Sequence, residues 1–238
     1  MKKITVISLA LCLSLMAAGC SGNTNATPSD PVIISSGTET SATTTVETTQ
    51  AAHTVTVEIL SKTTLEDSAG EYSSVCPKLI VDGKEATEIN ESISSYIKTN
   101  YPLEKVDDYV EGYTTHYSWG FTGNMVSIVI YSGDVCEDYG TCEVFNYDLD
   151  TLKPLDDSEV VKRFGMTDDE FYSKTAEIIT NYCSGISELD LDKSLAAISY
   201  DKVTPYVTPE GNPGVACCII YADGSQFSGL ETVRTFDM

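Results

Sequence analysis

The sequence predicts an α+β domain, a mainly antiparallel sheet with a few packed helices, following a disordered N-terminal tether. Three observations predict it. Short runs of alternating apolar and polar residues recur between turn-forming residues, the mark of half-buried strands. Two separate stretches place apolar residues at helical spacing. Residues 21–53 do neither, being dominated by Ser, Thr, Ala, Asn and Gly.

The elements follow in order. Val55, Val57 and Ile59 alternate with Thr54, Thr56 and Glu58, a strand. Val75 to Val81 is another, ended by Asp82-Gly83. A helix is predicted over 85–99, with Ala86, Ile89, Ile93, Tyr96 and Ile97 on one stripe and Pro102 beyond its end. Tyr109 to Phe121, rich in Tyr and Thr, reads as a strand before the Thr122-Gly123-Asn124 turn. Val126, Ile128 and Ile130 then face one way, and Ser127, Val129 and Tyr131 the other. Alternation resumes from Thr141 to Leu149. Two helices are expected next, one over 158–164 closed by Gly165, one opened by the capping box Thr167-Asp168-Asp169-Glu170. The second carries Phe171, Thr175, Ile178, Ile179 and Tyr182 on one face. Strands at 203–207, 215–222 and 233–236 finish the chain, and the sequence shows no internal repeat. Strands broken by helices, with hairpins at both ends, give the α+β class.

The first residues have the order of an export signal. Lys2 and Lys3 supply charge, Ile4 to Ala17 is almost wholly apolar, and Ala17-Ala18-Gly19 is small before Cys20. The apolar run is short for a membrane span, which needs about 20 residues. The placement of Cys20 resembles the lipobox of bacterial lipoproteins, which implies that its thiol is acylated and becomes the mature N-terminus. Ala17 stands where that family usually has Leu. The expected organisation is therefore a signal peptide over 1–19, a lipidated Ser/Thr-rich linker over 20–53 and one extracellular domain over 54–238. The membrane is then a partner through the lipid, and the location is its extracytoplasmic face. The linker cannot bury enough surface to offset its ordering entropy. As a flexible coil it would reach about 30 Å on average.

Charge narrows the partners. Removing Lys2 and Lys3 leaves 12 of the 14 basic residues against 36 acidic ones, a net −24. Such a field repels nucleic acid and anionic polymers and attracts cationic ligands.

Candidate chemistry is sparse. An even set of cysteines in an exported domain, Cys76, Cys136, Cys142, Cys183, Cys217 and Cys218, makes all six disulfide candidates, with buried free thiols as the alternative. Cys136 and Cys142 lie symmetrically about Tyr139, so a turn centred there would set them opposite each other. Cys217 and Cys218 are adjacent and point to opposite sheet faces, leaving Cys76 and Cys183 as their partners. No metal site is expected, because there is no Cys-x-x-Cys and the two histidines are far apart; no cofactor is implied. His116 is the histidine inside the domain, and no Gly-x-Ser-x-Gly elbow accompanies it. Leu195 stands where the Asp190-Leu191-Asp192 run would need glycine to bind calcium as an EF-hand does. Binding candidates are Glu137, Asp138 and Tyr139 on the hairpin loop, with His116 and Trp119 on the Tyr-rich strand.

Leu79-Ile80-Val81, the helix around Ile89 to Ile97, and the stretch from Val144 through Asp150-Thr151-Leu152-Lys153-Pro154-Leu155 to Asp156-Asp157-Ser158 carry a family resemblance. They resemble the extracytoplasmic domain of RsiV-like proteins, which also accompanies PdaC-type polysaccharide deacetylases. Val207-Thr208-Pro209-Glu210-Gly211 and Ala222-Asp223-Gly224-Ser225 are similar to that domain's closing hairpin. The chain departs from the family in lacking His between Gly133 and Gly140, and it shows neither the cytoplasmic segment nor the membrane helix of RsiV itself. The resemblance implies a non-enzymatic binding module facing the wall, its ligand a cell-wall component or a cationic protein such as lysozyme. The competing expectation is a wall-active hydrolase with a site around His116.

If Cys20 carries the anchor, Cys20→Ser should move the protein from the membrane fraction into a detergent-free supernatant. Retention of the variant with the membrane would overturn the assignment.

Overall fold

The computed structural model describes residues 53–135, 140–198 and 202–238. The expected signal, Cys20 and nearly all of the linker, together with Cys136, Glu137, Asp138 and Tyr139, lie outside them.

The fold is α+β, with four helices and two sheets among the described residues. β1 (Val55–Glu66) and β2 (Glu71–Val81) form a long antiparallel hairpin. At Asp82-Gly83 both residues take left-handed φ, 52° and 72°, and return the chain into the short β3 (Lys84–Glu85). α1 (Thr87–Asn100) follows, burying Ile89, Ile93 and Ile97 as the apolar spacing predicts. It also buries Asn90, whose side chain accepts from the Leu79 amide (2.7 Å) and donates to the Leu79 carbonyl (3.1 Å). A polar residue thus fastens the helix to β2 through the backbone of Leu79, whose carbonyl also accepts from the Ala86 amide (3.0 Å).

β4 (Leu103–Val106) pairs with β5 (Tyr109–Thr122). β5 touches β2 through the one parallel pairing among the described strands, Ser74 with Thr115. β6 (Met125–Asp134), β7 (Gly140–Asp148) and β8 (Lys153–Pro154) complete the first sheet in antiparallel fashion. Val126, Ile128 and Ile130 face the α1 core with Leu79, Ile93 and Tyr147.

α2 (Asp157–Arg163) and α3 (Asp168–Cys183) both begin with capping boxes, Asp156 with Glu159 and Thr167 with Glu170. α4 (Leu191–Ala196) is capped by Asp190, which accepts from the Lys193 amide, so that aspartate serves a helix start. β9 (Val203–Val207), β10 (Pro213–Ile220) and β11 (Glu231–Asp237) form a three-stranded antiparallel sheet. Phe171, Ile179 and Cys183 of α3 pack on Val215, Cys217 and Ile219 of β10.

The second sheet docks on the first through the edge of β9 and through β11, whose Thr232 hydroxyl donates to the Gly140 carbonyl (3.2 Å). The Val207 amide donates to Ser127 Oγ (2.8 Å), and Asn146 Nδ2 donates to the Pro205 carbonyl (2.8 Å). Ser127 and Asn146 are bonded to each other and both are buried. Gly120 is the close-approach point: a Cβ there would lie 1.9 Å from the Thr208 carbonyl oxygen.

One expected register is corrected. Tyr131, not Cys136, stands opposite Cys142, and Gly133 faces Gly140. Placing Cys142 opposite Cys136 would put Val144 on the same face as Ile128, whereas the ladder pairs Val144 with Val129 and gives Phe145 to the α1 core. Alternation is satisfied by either parity of β7, because both parities carry apolar residues, and the larger rings take the core.

Ser127→Ala would strand the buried Val207 amide and should lower unfolding free energy by about 1–3 kcal/mol in urea titrations. Gly120→Ala should cost more, since its clash is with backbone. An unchanged urea midpoint for Gly120→Ala would contradict the docking described here.

Candidate functional site

The C-terminal end of α1 meets the first sheet in a group of aromatic rings. Tyr96 lies edge-on to Tyr101 (5.9 Å between centroids) and to Phe145 of β7 (5.3 Å), and Tyr101 lies edge-on to Tyr113 of β5 (5.6 Å). The backbone makes room for them at Gly112, where φ is 116° and a Cβ would lie 2.0 Å from the Pro102 carbonyl oxygen. All four rings are half-buried, so each keeps an edge or face toward solvent. The Tyr101 hydroxyl lies 3.4 Å from that of Thr141, at the start of β7. Burial, with the Glu143 carboxylate close by, drives the Tyr96 hydroxyl well above its ordinary pKa. It is therefore a neutral hydrogen-bonding group at any physiological pH.

Next to this group is a cavity of ≈ 240 Å³, lined by Ser61, Ser74, Cys76, Ser94, Lys98 and Tyr101 among others. Its walls mix hydroxyls with the Lys98 ammonium, the Glu104 carboxylate, the Tyr101 ring and the apolar Ile97 and Leu103. Cys76 is buried there, and burial pushes its thiol pKa up. At neutral pH it is a thiol that contacts the Pro77 carbonyl (3.6 Å), not a thiolate nucleophile.

The residues singled out from sequence do not converge. His116 and Trp119 have opposite parity on β5 and point to opposite faces. Trp119 stacks on Phe121 (6.1 Å, 14°) against the α1 core. His116 stacks on Tyr131 (4.8 Å, 9°), whose hydroxyl lies 3.2 Å from that of Ser118 and 3.5 Å from that of Thr235. Desolvation by these neighbours lowers the imidazole pKa, and no charged group contributes to the shift. A general base needs a nucleophile in reach and a third group to orient it. His116 has a phenol instead.

The cysteines at 76, 142, 183, 217 and 218 are free thiols. Cys76 belongs to the α1 core, while Cys183 and Cys217 share the core beneath α3. Cys218 points elsewhere and donates to Glu231 (3.5 Å), which Lys202 also holds. Among the described residues no cluster of His, Cys, Asp and Glu could hold a metal ion.

Sequence reasoning missed the tyrosine group, because Tyr96, Tyr101, Tyr113 and Phe145 come from three elements and share no motif. The signal it could have used is Tyr96 at the border of the α1 stripe, followed closely by Tyr101-Pro102. It also passed over His53, whose side chain is only 16% exposed and contacts two carboxylates.

Burial, with Glu143 adding its charge, pushes the Cys142 thiol up to about 12, and burial does the same to Cys217. In the folded protein at pH 8 both should resist iodoacetamide, and both should label readily in urea. Equal labelling of Cys217 in the two conditions, read by peptide mass mapping, would contradict its burial. No family model, curated protein or solved structure matches the chain.

Proposed function

We propose that this chain is a lipid-anchored extracellular binding module whose ligand is a cationic protein such as lysozyme, or a component of the cell wall. The observation that carries the reading is the half-buried tyrosine group beside Glu143, in a chain of net charge −22. Rings with one open face bind either sugar rings or the cationic side chains of Arg and Lys at modest entropic cost, since a tyrosine has two χ angles to fix. The surrounding acid favours the cationic partner: it raises that partner's local concentration and its rate of encounter. The hydroxyl-lined cavity beside Tyr101 is where a wall saccharide would be accommodated. The resemblance to RsiV-like extracytoplasmic domains points the same way. A hydrolase centred on His116 gains no support from a ring stacked on Tyr131 without a charged partner.

The full chain bearing Cys20→Ser should bind hen-type lysozyme, as a cationic probe, with an affinity that falls steeply as salt rises past physiological strength. Tyr101→Ala and Glu143→Lys should each weaken binding about tenfold, the size of a single interface hot spot. Binding that ignores both salt and these substitutions, followed by interferometry, would sink the assignment of this surface.

A further inference from the structure

His53 stands where the N-terminal segment joins β1, and its two ring nitrogens meet two carboxylates. Nδ1 lies 2.8 Å from Asp82 Oδ2 and Nε2 lies 3.0 Å from Asp150 Oδ1. A carboxylate oxygen only accepts, so each contact needs an N–H on the ring. Neutral imidazole has one N–H and imidazolium has two. The geometry therefore fits the protonated ring alone.

The carboxylates are held by other elements. Asp82 sits on the left-handed β2–β3 turn and also accepts from the Thr54 amide (2.9 Å). Asp150 sits on the β7–β8 turn and accepts from Asn124 Nδ2 (2.7 Å), on the β5–β6 turn. Asn124 Oδ1 in turn accepts from Arg163 of α2 (2.8 Å), which also grips Asp148. The groups facing His53 are thus Asp82 with Lys84 behind it, Asp150 with Asp148 behind it, and Arg163 beyond them. Two acids are in contact with the ring; Lys84 acts on Asp82 through its charge, and Arg163 is bound to Asp148.

We propose that His53 is a proton-operated latch: as imidazolium it ties the root of the N-terminal segment to both the β2–β3 and β7–β8 turns, and on losing its proton it releases one of them. Asp150 is the one released. Thr54 keeps Asp82 beside the chain, whereas Asp150 has Asn124 as a ready alternative partner. The hydrogen bonds from Asp82 and then Asp150 raise the His53 pKa above its usual 6.5. A raised folded-state pKa gives a contribution that is complete below pH 6.5 and lost as pH climbs through the folded value. The root of the segment is accordingly pinned below the His53 pKa and freed above it. This holds whatever the tyrosine surface binds.

The chain has only two histidines, which makes the test direct. In the full chain labelled with ¹⁵N-histidine, one imidazole should titrate above 6.5 and the other, His116, below it. His53→Gln should remove the upper titration. Asp150→Asn should move it down while leaving His116 in place, and in the uniformly ¹⁵N-labelled chain the side-chain amide of Asn124, which donates to Asp150, should shift with the same midpoint. A His53 that titrates at or below 6.5, or one that Asp150→Asn leaves unmoved, overturns the latch. An Asn124 side-chain amide that shows no shift across the His53 titration would also overturn it, because the proton would then operate nothing.

Discussion

The structure depends on how β9 hides its outer edge. A strand edge carries a row of amides and carbonyls, and burying that edge without partners would cost several kcal/mol in total. Here no further strand covers it. Two side chains of the first sheet do so instead, Ser127 for the Val207 amide and Asn146 for the Pro205 carbonyl. Their bond to each other orients both, so the pair acts as one fitting. Gly120 lets the backbones come close enough for the fitting to engage. Everything that packs on the second sheet, including α2 through Val160 against Val207, is positioned by it.

That docking decides what the two faces of the first sheet can do. The face carrying Ser127, Asn146, Cys142 and Tyr131 holds the second sheet, and His116, on the same face of β5, stays exposed with its ring stacked on Tyr131. The other face is covered by α1, a helix of 14 residues. The helix covers Val126, Ile128 and Ile130 fully, but near its C-terminal end only Tyr96 and Tyr101 close the sheet. Half-buried rings gather where the helix runs out. Recognition surfaces need side chains already fixed by packing, and these are fixed by one another.

Most of the framework was legible in the sequence because it rests on local rules. The capping box at Thr167, the Asp82-Gly83 reversal and the parity of β6 each follow from residues within a few positions of one another. The parity of β7 was not legible. Val144 and Phe145 are adjacent and both suit a core, so only the three-dimensional space beneath α1 separates them. Asn90 was missed for a related reason: a polar residue on an apolar stripe reads as exposed unless its backbone partners on β2 are known. The candidate site was the least legible part. His116 and Trp119 are close in sequence but face apart, while Tyr96 and Phe145 are far apart in sequence and touch. The partners of His53 were not legible, because Asp82 and Asp150 lie 29 and 97 residues away from it.

The acidity of the chain acts at two ranges that should be kept apart. Its basic residues number 14 against 36 acids, and several of them are spent on local pairs, Lys78 with Glu58 and Glu85, Arg163 with Asp148, Lys202 with Glu231. The remaining acid sets the field that an approaching cation feels, and that field fades over a Debye length of about 8 Å at physiological salt. His53 answers to something shorter. Its two carboxylates sit at 2.8 and 3.0 Å, well inside that length, and the ring is largely shielded from solvent. Contacts this short are less affected by salt than the long-range field, although Asp82 and Asp150 keep 52% and 58% of their side chains exposed. The protonation of the domain's root is set by geometry at one turn of the sheet, whereas attraction of a ligand is set by the sum of the surface. On the readings proposed above, the chain would answer to pH at its base and to ionic strength at its binding face through separate interactions.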